Sequence, residues 1–149
     1  MHPIAQAIEA LFNREGWKIQ KRDERSYSFG FRGNNNRYDF IARIGERHNT
    51  LSIYAILPMQ APNNRLHETA EFLHRANYGL IIGNFEMDFR DGEVRYKASV
   101  DFEDNQPAPD HINSLIDCAL AMSDRYIPGL GKVIFANADA EEAIKEIEG

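Results

Sequence analysis

The chain has 149 residues, 43% of them apolar and 27% charged, with a formal net charge of −6. That acidity argues against a nucleic-acid binder, the absence of any apolar run near about 18 residues excludes a membrane-spanning helix, and a lone Cys118 excludes an internal disulfide framework. The start of the chain shows no basic and apolar leader, so the cytoplasm is the expected location and a single domain over 1–149 the expected organisation. Charge is uneven: residues 1–66 carry ten Lys/Arg against six Asp/Glu, residues 67–149 seven against seventeen. Such polarity favours contacts between copies of the chain.

In chain order, Ile4, Ala7, Ile8, Leu11 and Phe12 form one stripe, which predicts a helix over Pro3–Arg14 ended near Gly16. Trp17–Arg22 is a short strand candidate. Tyr27, Phe29 and Phe31 alternate with small residues, Gly33-Asn34-Asn35-Asn36 makes a turn, and Tyr38, Phe40, Ala42 and Ile44 resume the alternation. Pairing through the turn sets Phe31 against Tyr38 and Phe29 against Phe40. Leu51–Leu57 adds a third strand with Ile44 opposite Leu51. Pro58 and Pro62 are expected to break the chain, and Arg65–Asn77 to form a helix stopped at Gly79.

Asn84–Asp101 predicts a hairpin turning at Asp91-Gly92, with Phe89 opposite Val94, Met87 opposite Tyr96 and Phe85 opposite Ala98. On its other face Asp88 would meet Arg95, and Glu86 would meet Lys97. Pro107 and Pro109 open a long helix striped by Ile112, Leu115, Ile116, Ala119, Met122 and Tyr126 and broken at Pro128; Leu130–Phe135 is a separate apolar segment. Asp139 caps a last helix, Ala140–Glu148. Helices inserted into an antiparallel sheet give an α+β, two-layer domain with five strands in α-β-β-β-α-β-β-α order.

Little of this carries recognisable chemistry. His67, Glu71 and His74 share one helical face, but a solvated face explains them as well as a small-ligand or metal site does, and no metal is assigned. Cys118, beside an apolar stripe and next to Asp117, reads as a buried, inert thiol. Gly129-Leu130-Gly131-Lys132 lacks the spacing of a phosphate loop, and Glu86 and Asp88 are matched by basic partners. No catalytic residue is assigned and the chain is read as a non-enzyme.

One feature does stand out on the face of the meander that should be wet. Ile44 against Leu51 places Ile41 opposite Tyr54, with Ile56 diagonal to Ile41 and Arg43 at the rim. Large apolar side chains there need cover, and they mark a candidate surface for a partner or for a second copy. The alternative is that Trp17–Arg22 or a C-terminal helix folds over them.

At Asn77-Tyr78-Gly79, Gly83-Asn84-Phe85-Glu86, Asp91-Gly92-Glu93-Val94-Arg95-Tyr96 and Tyr126-Ile127-Pro128 to Lys132-Val133-Ile134, the sequence resembles the YbjN-like family of small bacterial proteins, over roughly residues 65–148. The resemblance implies a type III secretion chaperone-like fold, a regulatory role, no cofactor, and an unidentified protein partner bound as an extended segment, commonly by a homodimer. Neither nucleic acid nor membrane is an expected partner.

Overall fold

The computed structural model describes residues 1–149 and is an α+β assembly in which four helices meet an antiparallel sheet. Helix α1 (Pro3–Glu15) starts with proline in its first turn and ends at Gly16 in the left-handed region, as its stripe predicts. Strands β1 (Gln20–Asp23), β2 (Ser26–Arg32), β3 (Arg37–Ile44) and β4 (Thr50–Gln60) follow, then α2 (Leu66–Tyr78), β5 (Asn84–Met87), β6 (Glu93–Asp101), α3 (Pro109–Phe135) and α4 (Ala140–Glu148). The sheet has six strands in the order β1-β2-β3-β4-β6-β5, not the expected five. The additional strand is β1, wholly exposed at one edge and joined to β2 through a bulge between Lys21 and Asp23. It carries no apolar alternation, so its pairing rests on backbone hydrogen bonds alone.

The meander register is the one the side-chain pattern predicts. Phe29 pairs with Phe40, Phe31 with Tyr38, Ile44 with Leu51 and Ile41 with Tyr54. Two expected breaks fail for identifiable reasons. Strand β4 passes through Pro58, whose missing N–H is absorbed where the β4–β6 ladder is irregular between Ile56 and Gln60. Helix α3 continues through Pro128 to Phe135. Proline cannot donate to the carbonyl four residues back, that of Asp124, and the Asn35 side-chain amide donates to that oxygen instead at 2.9 Å. Gly129 follows because a Cβ there would lie 2.5 Å from Ile147 and 2.9 Å from Phe72, so α3 can approach α2 and α4 only without one.

The β5–β6 hairpin keeps its predicted faces but shifts by two residues: Phe85 pairs with Tyr96 and Met87 with Val94. The Asp88 carboxylate accepts from the Arg90 N–H at 2.8 Å and binds its guanidinium, which draws residues 88–92 into a longer loop. Those bonds, side chain first, hold the Asp88 carboxyl at about 2. Phe89 therefore leaves the ladder and is 52% exposed, against the pairing with Val94 that the sequence suggests. Glu86 faces Arg95 directly, with Lys97 on the diagonal, and Asp88 does not meet Arg95.

One sheet face holds the core. Tyr27, Phe29, Phe40, Ile53, Tyr96 and their neighbours form a continuous buried cluster with the apolar stripes of α1, α2 and α3. Phe12 of α1 packs edge-on against Phe29, and Tyr126 of α3 against Phe85 and Phe72. Helix α4 seals the far side of α2 and α3: the Asp139 carboxylate caps it by accepting from the Glu142 N–H at 3.1 Å, and the Tyr126 hydroxyl donates to Glu148 at 2.6 Å. At the β5 edge the Asn77 side chain of α2 accepts from the Phe85 N–H at 2.7 Å and donates to the Phe85 carbonyl at 2.9 Å.

Asp124 ties α3 to the β2–β3 turn. Its carboxylate accepts from the N–H groups of Asn34 and Asn35 at 2.8 and 2.9 Å and from the Tyr38 hydroxyl at 2.9 Å. Partial burial works to raise its carboxyl, but these bonds outweigh it and the group sits below the usual aspartate value of 3.8. A lowered carboxyl binds fewer protons folded than unfolded, so its stabilisation is complete above the usual value and drains away as pH falls through the folded one. Asp124→Ala should cost roughly 1–3 kcal/mol near neutral pH. Urea titrations of both proteins should show that deficit shrinking below about pH 4; a deficit constant across pH 3 to 7 would refute the assignment.

Candidate functional site

The four helices are accounted for on the core face, so the other face of the sheet is left without a helical cover. Strand alternation fixes what it presents. One row across the strands is Ser28, Ile41, Tyr54 and Lys97; the next is Gly30, Asp39, Ile56 and Arg95. Ile41, Tyr54 and Ile56 are half-buried and Arg43 is exposed. The three apolar side chains are thus contiguous, as the sequence register places them. Helix α4 packs on α2 and α3 instead, and Trp17 packs edge-on with Phe12 and Phe31, while Lys18 and Arg22 border the cluster from the β1 side.

Strand β6 brings a feature the sequence did not place here. Because β6 lies beside β4 rather than forming a separate hairpin, Arg95 and Lys97 border the apolar cluster. The Arg95 guanidinium lies 4.3 Å from the centroid of the Tyr54 ring, a cation–π contact. Glu86 holds both cations, accepting from Arg95 at 2.5 Å and from Lys97 at 3.2 Å. Partial burial raises the Glu86 carboxyl, yet the bonds from Arg95 and Lys97 prevail and keep it below its ordinary value. Glu86 is therefore an ionised brace for the two cations and unsuited to general-acid chemistry.

On the β1 side the face opens into a groove of about 980 Å³ in which Ile41 and Ile56 meet the small side of β2, Ser28 and Gly30. Lys18, Arg22, Arg37 and Arg43 also line it, against Asp23 and Asp39. None of the four cations is in an ion pair. Arg22 donates to the Ser28 hydroxyl at 2.8 Å, and the Arg37 guanidinium lies over Gly30, where a Cβ would come within 2.6 Å of it. The result is a shallow, apolar-floored face with cations on both flanks.

The other sequence candidates scatter. Exposed Glu71 is held by Arg75 at 2.8 Å, His67 lies against Phe89 with ring centroids 5.8 Å apart, and no three His, Cys, Asp or Glu side chains are grouped to hold a metal ion. Cys118 is partly and not fully buried, and lines a shallow hollow with Gly79–Ile82 of the loop after α2.

Several solved structures share this fold. A chain in the crystal structure of the ExsC–ExsE complex aligns with TM-score 0.58 at 15% identity, covering 83% of this chain and 90% of that one. A chain in the HopA1–SchA chaperone–effector complex aligns with TM-score 0.55 at 12% identity, covering 81% and 90%. An uncharacterized protein from Methanothermobacter thermautotrophicus aligns with TM-score 0.56 at 14% identity, covering 87% and 97%. No curated protein sequence matches the chain. A family model does match, over residues 5–132, so the likeness reaches through α1 and the meander instead of beginning near residue 65. With most of its length inside that model, the chain belongs to the YbjN family, described as "Putative bacterial sensory transduction regulator".

Proposed function

We propose that the helix-free face of the sheet captures a segment of a partner polypeptide, in a chaperone-like or regulatory role without catalysis. The observation that carries this reading is the contiguous, half-buried cluster of Ile41, Tyr54 and Ile56 on the sheet face opposite the helices. The named complexes of the fold neighbours, one of them a chaperone–effector pair, support a protein ligand. Burial of the apolar cluster supplies affinity, and Arg43 with the unpaired cations of the groove selects a segment with carboxylates near its aliphatic residues.

Tyr54→Asp puts a carboxylate at the centre of the cluster and removes the ring that Arg95 covers. It should weaken capture of the partner at least about tenfold, roughly 1.4 kcal/mol, while far-UV circular dichroism stays that of the wild type. Arg43→Glu, at the exposed rim, should slow association and reduce its salt dependence. The measurement is affinity purification of the tagged protein from its own cells, followed by titration of whatever co-purifies. A partner retained equally by wild type, Tyr54→Asp and Arg43→Glu would remove the sheet face from consideration.

A further inference from the structure

Helix α4 is the most weakly seated helix of the chain. Of its nine residues only Ala140, Ala143 and Ile144 are buried, and two of those three bury no more than a methyl group. Helix α1, by contrast, buries Ile4, Ile8, Leu11 and Phe12. An isolated helix of such length is marginal in water, so α4 takes its shape from the groove between α2 and α3. Its side-chain ties lie largely at the surface. Glu141 meets Arg75 at 3.2 Å and Glu146 meets Lys132, with all four side chains between 39% and 59% exposed. Exposed pairs of this kind add little stability. The joint with α3, residues 136–139, contains Asn137 at a φ of +53°, a left-handed conformation that asparagine tolerates. An element so lightly packed on so short a joint belongs to the part of a fold that opens locally, ahead of the core.

The groove itself is shaped for a helix. Gly129 leaves the notch that Ile147 enters, since a Cβ there would lie 2.5 Å from the Ile147 side chain. At the mouth, Glu68 accepts from the Ala140 N–H at 2.7 Å and Arg65 donates to the Ala138 carbonyl at 2.6 Å. Both contacts address the main chain, so neither depends on which side chains the helix carries. On the flanks, Arg75 and Lys132 present cations to carboxylates, and the Tyr126 hydroxyl donates to Glu148 at 2.6 Å. The groove therefore recognises a short helix with small and aliphatic residues on one face and carboxylates beside them. The family match ends at residue 132, so α4 lies beyond the segment that the family shares.

We propose that the α2–α3 groove is a docking site for an acidic amphipathic helix of a partner protein, and that α4 is its built-in occupant, which must leave before the partner enters. The tether keeps α4 at high effective concentration, so the groove stays closed to weak competitors. This surface is on the helical side of the sheet and does not involve Ile41, Tyr54 or Ile56.

The test uses the full chain and, as probe, a fluorescent synthetic peptide of residues 137–149 followed by anisotropy. Ile144→Asp in the full chain loosens its own α4 and should bind the peptide at least tenfold more tightly than the wild type does. Glu141→Lys combined with Glu146→Lys should give a similar gain; both positions are exposed, so this variant decides the matter if Ile144→Asp fails to fold. A peptide with every glutamate replaced by lysine should bind none of these proteins. Hydrogen exchange on the wild type should show the α4 amides exchanging ahead of those of α1, and Tyr54→Asp should match the wild type throughout. Amides of α4 that exchange no faster than those of α1, loosened variants that bind the peptide no better than wild type, or a charge-reversed peptide bound as tightly as the native one would each overturn the proposal. A loosened variant whose mass doubles from 17.1 kDa would assign the groove to the α4 of a second copy and overturn it as well.

Discussion

Gly92→Ala should lower the unfolding free energy by about 2–4 kcal/mol, among the largest single-site effects in the molecule. Gly92 adopts a φ of +76° and its carbonyl accepts from the Ala61 N–H at 3.0 Å, joining the β5–β6 loop to the end of β4. A Cβ there would lie 2.0 Å from the Ala61 carbonyl oxygen and 2.8 Å from its nitrogen. Both obstacles are backbone, so the chain itself must move. The left-handed conformation alone costs an alanine about 1 kcal/mol, and loss of the Ala61 contact supplies the rest. Gly92→Asn separates the two causes. Asparagine tolerates positive φ but carries the same Cβ, so it should destabilise nearly as much as alanine. Urea midpoints for the three proteins decide the matter, and an asparagine variant as stable as wild type would show that φ, not crowding, governs the site.

Phe40→Ala should be at least as damaging, at about 3–5 kcal/mol. Phe40 is fully buried at the centre of the sheet, stacked on Phe29 at 5.3 Å and edge-on to Phe31 at 5.7 Å between centroids. Removing the ring opens a cavity between β2, β3 and β4 that those aromatic neighbours cannot fill without leaving their own packing. For a domain of this size the melting temperature should fall by roughly 10 °C. A fall of less than about 3 °C would mean that the aromatic layer collapses to close the gap. Because Ile41 is the next residue on β3, partner capture by this variant should be compared with the wild type well below the lowered transition.

Much of the architecture is legible in local side-chain patterns, and the failures share a cause. The meander reads correctly because Phe29, Phe31, Tyr38 and Phe40 alternate without exception and a one-residue slip would turn them to water. The hairpin register fails by two residues because a two-residue shift keeps every side chain on its face. Only the Asp88–Arg90 turn distinguishes the two registers, and Asp91-Gly92 offers a competing signal. Pro128 misleads because its compensation comes from Asn35, far away in sequence. The apolar cluster on the open face follows from register alone. Its cationic border at Arg95 and Lys97 does not, since nothing local states that β6 lies beside β4. The Leu80–Ile82 loop escapes notice because three apolar residues between Gly79 and Gly83 are too few to read as a strand.

The Asn77 amide against Phe85 has a further implication. By offering one acceptor and one donor to the backbone of β5, it imitates the main chain of an additional strand and occupies the sheet's terminus on that side. An incoming chain is left with β1, whose Lys21, Arg22 and Asp23 oppose flat stacking. Runaway fibril growth needs two compatible ends on every subunit, and one end of this sheet is shut by a single side chain.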